Sequence, residues 1–244
     1  TVSGEFGGIT QHVGAYQIEH NSSKITFIDT PGHAAFTEMR ARGSKLTDIV
    51  VLVVAADDGV KPQTIESIKH ANAATVPIVV AINKCDLPEA DPMKVKNQLL
   101  EHELIAEELS GDTLMVEIST KTKQNLSKLV ESIILQSELL DLKADYNVKA
   151  NAVVLESKVD IGRGPIANII ITNGTLKKGD YFVSGLKWGK VRAIINDLGQ
   201  NIQEAHPASP VEVLGINGAS KSGDDFVVLE NEKGAKSLCD ARIE

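Results

Sequence analysis

Residues 76–86 read VPIVVAINKCD, an aliphatic run that ends in four mostly polar residues. The run over 76–82 shows no polar alternation, which is typical of a strand covered on both faces in a parallel sheet. The tetrad Asn83-Lys84-Cys85-Asp86 follows it directly. Because open α/β sheets bind ligands beyond the carboxyl ends of their strands, the tetrad is predicted to lie in a binding site.

Strands and helices alternate on both sides of this stretch. A polar turn around Asn21 and Ser22 is predicted to join two strands into a hairpin. The other periodic segments predict a mostly parallel sheet with helices on both faces, which is the α/β class. The predicted strands cover residues 13–19, 24–29, 49–56, 76–82 and 114–118, and the predicted helices cover 34–46, 63–73, 93–108 and 126–139.

The helical period ends at about residue 140, after which short segments are separated by turn residues such as Asn173-Gly174 and Gly179-Asp180. This change predicts a second, all-β domain. A small antiparallel β-barrel is favoured over an open sheet because closure removes exposed strand edges. The predicted domains are therefore 1–146, of the α/β class, and 147–244, the barrel.

The composition bounds the class of protein. The 244 residues are 42% hydrophobic and carry a net charge of −8. No apolar run approaches the roughly 20 residues that cross a bilayer, so a soluble, cytoplasmic protein is expected, with an organellar matrix as the alternative location. A monomer is expected as well. Residues 1–146 carry 13 Lys and Arg against 21 Asp and Glu, whereas residues 147–244 carry 12 of each. Overall charge therefore does not exclude RNA contact by the second domain.

The tetrad has the chemistry of a base-recognition loop. A carboxylate at Asp86 can accept hydrogen bonds from the N1 and N2 donors of guanine, whereas adenine lacks that donor pair and would leave the carboxylate unpaired. Asn83 would tie the loop together, and the stem of Lys84 would lie over the base. The alternative interpretation is an ordinary polar turn after a strand, because such a tetrad also occurs by chance.

A second motif ends the predicted strand over 24–29. Asp29-Thr30-Pro31-Gly32-His33 brings a carboxylate and a flexible backbone N–H to a strand end, which suits Mg²⁺ and a terminal phosphate. Asp29 would hold Mg²⁺ through water, Gly32 would donate to the γ-phosphate, and His33 would position the attacking water. An isolated motif of this kind is usually a turn. Its position 54 residues before Asn83 favours the phosphate site.

Two weaker motifs complete the set. Gly7-Gly8-Ile9-Thr10 lies upstream of the hairpin, where a glycine pair allows a loop to close over a phosphate and present the Thr10 hydroxyl to Mg²⁺. Ser119-Thr120-Lys121 follows the last predicted strand of the sheet, where backbone groups could contact the guanine carbonyl. The four motifs occur in the order of the switch I, DxxG, NKxD and final base-contact motifs of the GTPase superfamily.

Longer stretches resemble the bacterial and organellar translation initiation factor 2 family. They are GGITQHVGAY at residues 7–16, DTPGHAAF at 29–36, and barrel segments such as GRGP at 162–165 and PVEVLG at 210–215. The resemblance covers essentially the whole chain, and elongation factors are the nearest alternative family. It implies a P-loop-NTPase-like sheet followed by the second domain of translational GTPases.

The resemblance also implies an activity. It implies a translation initiation GTPase that uses GTP, GDP and Mg²⁺, helps to place initiator tRNA and promotes joining of the ribosomal subunits. Thr10 and Asp29 would serve Mg²⁺, Gly32 the γ-phosphate and His33 the hydrolytic water. Ile9 would belong to an apolar gate that keeps His33 from that water. Initiator tRNA is expected to bind through domains outside this chain.

The sequence departs from the family pattern in one important respect. No G-x-x-x-x-G-K-[ST] motif occurs in it, although the family places this phosphate loop upstream of switch I. Because the loop supplies most of the phosphate contacts, the chain alone is expected to bind GTP poorly. The central first strand would be missing with the loop, so either the sequence is an excerpt or the hairpin packs abnormally. In addition, Thr120 stands where the family usually has Ala.

The competing hypothesis is a ribosome-docking module that does not turn over nucleotide. Five basic residues of the barrel could gather on one side and contact ribosomal RNA, although a solvated charged face is the commoner reason for such a set. They are Lys177, Lys178, Lys187, Lys190 and Arg192. The presence of Asp29, His33 and Asp86 argues for catalysis by the whole protein.

Overall fold

The structure is a computed structural model that describes residues 14–29 and 46–244. It divides into two compact units. One unit is Thr47–Leu142, and the other contains Lys143–Glu244 together with the described residues 14–29 and 46. The domain boundary that the sequence predicts, after residue 146, falls close to this division and stays a prediction. Among the described residues, no helix is long and apolar enough to span a membrane.

Two antiparallel strands form the hairpin that the sequence predicts. They are β1 (Gly14–His20) and β2 (Ser23–Asp29), with Gly14 opposite Asp29 and His20 opposite Ser23. Asn21 and Ser22 make the turn with φ of 49° and 68°. Two consecutive positive φ values match the right-handed twist of the strands, and Asn adopts this conformation at low cost.

A parallel sheet lies at the centre of the unit Thr47–Leu142. Its described strands are β3 (Val50–Ala55), β4 (Ile78–Asn83) and β5 (Met115–Glu117), in the order β3-β4-β5. The helices between and after them are α1 (Pro62–Ala73), α2 (Pro92–Leu100) and α3 (Leu126–Leu140). Proline begins α1 and α2, where its missing N–H costs nothing, and Asp91 caps α2 by accepting from Lys94 N at 3.1 Å.

Strand β4 is covered on both faces. Its residues 79–82 are fully buried. One face packs in a cluster with Leu52, Ile68 and Leu99, and the other face packs with Val116 and Ile118. The prediction of a doubly covered strand over residues 76–82 is confirmed.

The helix predicted over residues 93–108 is shorter than expected. It ends at Leu100, and a 3₁₀ turn at Glu107–Leu109 follows. The chain reverses at Glu103, whose φ is 65°, and Leu104 N then bonds to Leu99 O at 3.2 Å. This reversal turns Leu104 into the core, where it is 8% exposed. Burial of that leucine outweighs the continued helical period of the sequence.

The second unit contains a closed antiparallel barrel. Its strands are β6 (Asn151–Asp160), β7 (Gly164–Asn173), β8 (Leu176–Lys177), β9 (Tyr181–Ser184), β10 (Lys187–Asn196), β11 (Asn201–Ile202), β12 (Glu204–Ala205), β13 (Pro210–Ile216) and β14 (Asp225–Leu229). Six of them pair in a ring, in the order β10-β13-β7-β6-β14-β9 and back to β10, and β11 extends the sheet beside β10. Phe182 and Phe226 are fully buried inside the barrel core, with ring centroids 4.2 Å apart. The predicted barrel is confirmed.

A helix packs on the barrel where the sequence analysis expected only strands. Helix α4 (Glu232–Ile243) is capped by Asn231, whose side chain accepts from Gly234 N at 2.8 Å. Ala235 and Cys239 are buried against Val183. The Asn cap, followed by apolar residues on one helical face, is the sequence signal that marks this helix.

The hairpin belongs to the same unit as the barrel. Gln17 N donates to Asp197 Oδ2 at 3.0 Å, and Thr26 Oγ1 donates to Ala208 O. Ala15 and Ile28 pack on barrel residues Leu155 and Ile170.

Helix α4 is fixed to the barrel by an ion pair. Arg242 donates to both carboxylate oxygens of Asp225, at 2.9 and 2.6 Å, and to Gly185 O at 2.8 Å. Burial raises the pKa of Asp225, but the hydrogen bonds and charge of Arg242 outweigh it and hold this pKa below the ordinary value of 3.8. The pair therefore stabilises the folded protein only while Asp225 is ionised.

Asp225→Asn is expected to lower the free energy of unfolding at neutral pH and to have a smaller effect in acid. Because the pKa is lowered in the folded state, the stabilisation is complete above the ordinary Asp value and is lost as pH falls through the folded value. Urea unfolding of the wild type and the variant at neutral pH and below pH 3.8 measures the difference. Arg242→Met should abolish the same pH dependence. An equal wild-type-to-variant difference at both pH values would contradict the assignment.

Candidate nucleotide-binding site

The loops that follow β4 and β5 are joined at the carboxyl ends of the strands. Thr120 N donates to Asn83 Oδ1 at 3.1 Å, and Asn83 Nδ2 donates to Thr120 Oγ1 at 3.4 Å. Ala56 N donates to Asn83 O at 2.8 Å. Asn83 thus connects the ends of all three described strands.

The Asp86 carboxylate is hydrogen-bonded to a neighbouring loop, and the residue is exposed to solvent. Ser119, which is fully buried, donates from Oγ to Asp86 Oδ1 at 2.8 Å, and Ser119 Oγ accepts from Thr122 N at 3.1 Å. The Asp86 residue as a whole is exposed. Since a carboxylate offers about four acceptor positions, one bond from Ser119 leaves room for two further donors. The structure therefore brings Asn83, Asp86, Ser119 and Thr120 together, as the sequence predicts.

Lys84 and Cys85 lie between Asn83 and Asp86 in the sequence. Lys84 is exposed and adopts a left-handed φ of 62°. Cys85 N donates to Ile118 O at 3.1 Å, and its Sγ lies 3.2 Å from Ile82 O. Burial, together with the nearby Glu117 carboxylate, raises the pKa of the Cys85 thiol. Cys85 packs against the core cluster that contains Val80 and Ile82.

The loop that follows β5 is closed by Gln124 and Asn125, which the sequence analysis did not single out. Ser119 and Gln124 exchange two backbone hydrogen bonds, at 3.2 and 3.0 Å. Asn125, at φ 58°, donates from Nδ2 to Glu117 O at 2.8 Å. Lys121 is exposed on this closed loop. An Asn that precedes a helix was the available signal, since Asn adopts left-handed φ more readily than other side chains.

A buried lysine forms ion pairs at the end of β5, the strand that precedes this loop. Lys96 is 2% exposed and pairs with the carboxylates of Glu108 and Glu117. Burial alone would lower the pKa of Lys96, but the hydrogen bonds that Lys96 donates to the two carboxylates raise it. The charged lysine therefore connects α2 to β5 just before Ser119.

Most of the predicted phosphate and metal residues lie outside the described residues. These are Ile9, Thr10, Gly32 and His33. Asp29 is described, as the exposed last residue of β2. Within the described ranges, no group of three or more His, Cys, Asp or Glu could hold a metal ion.

A basic groove of about 540 Å³ lies on the barrel. Three of the five basic residues singled out in the sequence line it: Lys178, Lys190 and Arg192. Gly179 and Gly215 form part of its wall. Lys190 Nζ lies 5.5 Å from the centre of the Tyr181 ring, and Arg192 donates to Arg163 O at 2.9 Å. Groups of positive side chains with open space between them suit phosphate oxygens.

Two family models match the chain. The model of the elongation factor Tu GTP binding domain matches residues 4–138, and that of elongation factor G domain 2 matches residues 149–229. A solved structure is also similar. The GDP-bound aIF5B from Aeropyrum pernix has a TM-score of 0.79 and 25% identity, over 99% of this chain and 52% of the other.

Curated relatives match over the whole chain. Translation initiation factor IF-2 of Pelagibacter ubique (strain HTCC1062) is 77% identical over 243 residues, which are 100% of this chain and 33% of the relative. Translation initiation factor IF-2 of Rhizobium etli is 59% identical over 241 residues, 99% of this chain and 26% of the relative. The chain thus spans about a third or less of the length of these relatives. It belongs to the family of the elongation factor Tu GTP binding domain, and it is similar over its whole length to translation initiation factors IF-2.

Proposed function

We propose that this chain carries the guanine-recognition loops and the barrel of a translation initiation GTPase. The observation that supports it most is the exposed Asp86 carboxylate, which Ser119 fixes beside the Asn83–Thr120 pair. The similarity to IF-2 relatives and to a GDP-bound initiation factor structure supports the same function. The whole protein would hydrolyse GTP to GDP and phosphate.

Guanine recognition follows from the donor and acceptor pattern. The free acceptor positions of Asp86 would take the N1 and N2 hydrogens of the base. Asn83 and Thr120 would hold the two loops at a fixed separation, and the stem of Lys84 would cover the ring. Adenine would leave a carboxylate without donors, which costs more than the loss of an ordinary hydrogen bond.

Hydrolysis would use the residues upstream of the described sheet. Gly32 would donate its N–H to the γ-phosphate, and His33 would orient the attacking water. Thr10 and Asp29 would hold Mg²⁺, Asp29 through water, and the ion would supply positive charge against the phosphates. Ile9 would keep His33 from the water until the ribosome rearranges the site.

The first test is whether the chain binds nucleotide. A fluorescent GDP analogue is titrated into the 244-residue chain and into a form extended upstream to include a phosphate loop. Binding by the extended form alone is expected, because the loop supplies most phosphate contacts. If neither form binds, the guanine assignment fails and the docking module without turnover takes its place.

Ribosomal subunits would be the partners of the whole protein, with initiator tRNA held by domains outside this chain. We expect a cytoplasmic monomer. The basic groove of the barrel supports contact with ribosomal RNA, because Lys178, Lys190 and Arg192 line one surface.

Replacing Lys178 and Lys190 together with Ala is expected to weaken binding of the full-length protein to the small ribosomal subunit. Each lost phosphate contact should reduce the slope of log affinity against log salt by about 1. The matched control is Lys221→Ala together with Lys233→Ala, two exposed barrel-unit lysines outside the groove. An unchanged salt slope in the groove variant would show that this surface is only a solvated charged face.

A further inference from the structure

Thr120 meets Asn83 through two separate groups. Its backbone N–H donates to Asn83 Oδ1 at 3.1 Å, and its hydroxyl oxygen accepts from Asn83 Nδ2 at 3.4 Å. Both ends of the Asn83 amide are therefore used by one residue, 37 positions away in the sequence. The backbone N–H satisfies only the amide oxygen, so the hydroxyl alone satisfies the amide nitrogen in this pair.

The side chain of Asn83 makes one of the connections that set the spacing between the two loops, beside the bond from Ser119 Oγ to Asp86 Oδ1. The backbone carbonyl of Asn83 already accepts from Ala56 N at 2.8 Å, which fixes the end of β4 against the end of β3. The amide makes the corresponding connection to the loop after β5. Without an acceptor for Nδ2, the amide could rotate, and only the single bond from the Thr120 N–H would resist it.

We propose that the Thr120 hydroxyl is a positioning group for guanine recognition. It holds the Asn83 amide in one orientation, and through Asn83 it contributes to the fixed separation between the loop of Asp86 and the loop of Ser119. This inference rests on the proposed guanine-nucleotide function. Thr120 acts through Asn83 and is not required to touch the base itself. Loss of its hydroxyl should therefore appear as a higher dissociation rate constant of the bound guanine nucleotide.

The position of Thr120 separates this role from a structural one. Thr120 is exposed on a loop. Removing its hydroxyl therefore leaves no buried cavity, and surface substitutions of this kind change folding stability little. A loss of nucleotide retention without a loss of thermal stability would be the mark of a positioning role.

The experiment compares Thr120→Val with Thr120→Ser in the full-length protein. Valine keeps the branched shape and lacks the hydroxyl, whereas serine keeps the hydroxyl. The dissociation rate constant of a fluorescent GDP analogue is measured by chase with unlabelled GDP. Thr120→Val should raise it about two- to tenfold, the range for one neutral hydrogen bond, and Thr120→Ser should stay close to wild type. Both variants should keep the wild-type melting temperature.

A double-mutant cycle tests the route through Asn83. In an Asn83→Ala background, where the amide is gone, Thr120→Val should cause no further increase in the dissociation rate constant. A full additional increase in that background would overturn the proposal, because Thr120 would then act independently of Asn83.

Asp86→Asn in the same assay distinguishes the two ways of failing. If Asp86→Asn accelerates GDP release and Thr120→Val does not, the positioning role is wrong and the guanine function stands. If the full-length wild-type protein fails to bind GDP, the proposed function fails, and the role of Thr120 fails with it.

Discussion

Asp86→Asn is expected to weaken GDP binding to the full-length protein by about tenfold or more. The substitution keeps the shape of the side chain and replaces one acceptor oxygen with a donor NH₂ group. A bond between a charged carboxylate and the base is lost, and a donor then faces the N2 amino group of guanine. The affinity is measured by titration with a fluorescent GDP analogue.

The matched control for Asp86→Asn is Asp91→Asn. Asp91 lies five residues along the chain and caps α2 by accepting from Lys94 N, a role that Asn also performs well. Asp91→Asn should leave GDP affinity near the wild-type value. Equal losses in the two variants would mean that Asp86 acts through the general charge of the region and not through contact with the base.

Phe226→Ala is expected to destabilise the barrel by about 3–5 kcal/mol, the usual cost of truncating a buried phenylalanine. Phe226 is fully buried and stacks on Phe182, with the ring planes at 18° to each other. Truncation would remove both the buried ring area and the ring contact, and the closed barrel leaves little room for collapse. Urea unfolding of the 244-residue chain, followed by circular dichroism, measures the loss.

Phe226→Leu is the matched control for Phe226→Ala. Leucine fills much of the same space, so a smaller loss, of about 1–2 kcal/mol, is expected. Losses of the same size in both variants would show that the ring contact with Phe182, not the filled volume, determines the stability of this core.

The elements that sequence analysis predicted well have strong local signals. The run over 76–82 is aliphatic throughout, and β4 is buried on both faces. Asn83, Asp86 and Ser119 follow predicted strand ends, and parallel topology brings these ends to one edge of the sheet. The turn at Asn21 and Ser22 was also predicted, because Asn and Ser are common turn residues.

The features that it missed depend on contacts distant in sequence or on competition between local signals. The reversal at Glu103 gives up helical residues in order to bury Leu104, which the helical period over 93–108 does not reveal. The all-β expectation for the second domain overlooked the Asn231 cap of α4. The pairing of Thr120 with Asn83 joins two loops whose separation no sequence pattern encodes.

The predicted phosphate, metal, gate and catalytic residues form a separate group. Ile9, Thr10, Gly32 and His33 lie outside the described residues, so their roles stay predictions that rest on motif order and family resemblance. Asp86 is different, because the structure describes the contact from Ser119 that holds its carboxylate. Its recognition of guanine stays a proposal.

The most direct test of guanine recognition exchanges the base and the side chain together. Xanthine carries a carbonyl oxygen where guanine has its N2 amino group, so an amide at position 86 could accept from N1–H and donate to that oxygen. Competition between GDP and xanthosine diphosphate is measured on the full-length wild-type protein and on Asp86→Asn. The account predicts that the wild type prefers GDP and that Asp86→Asn prefers xanthosine diphosphate. An unchanged preference for GDP in the variant would contradict it.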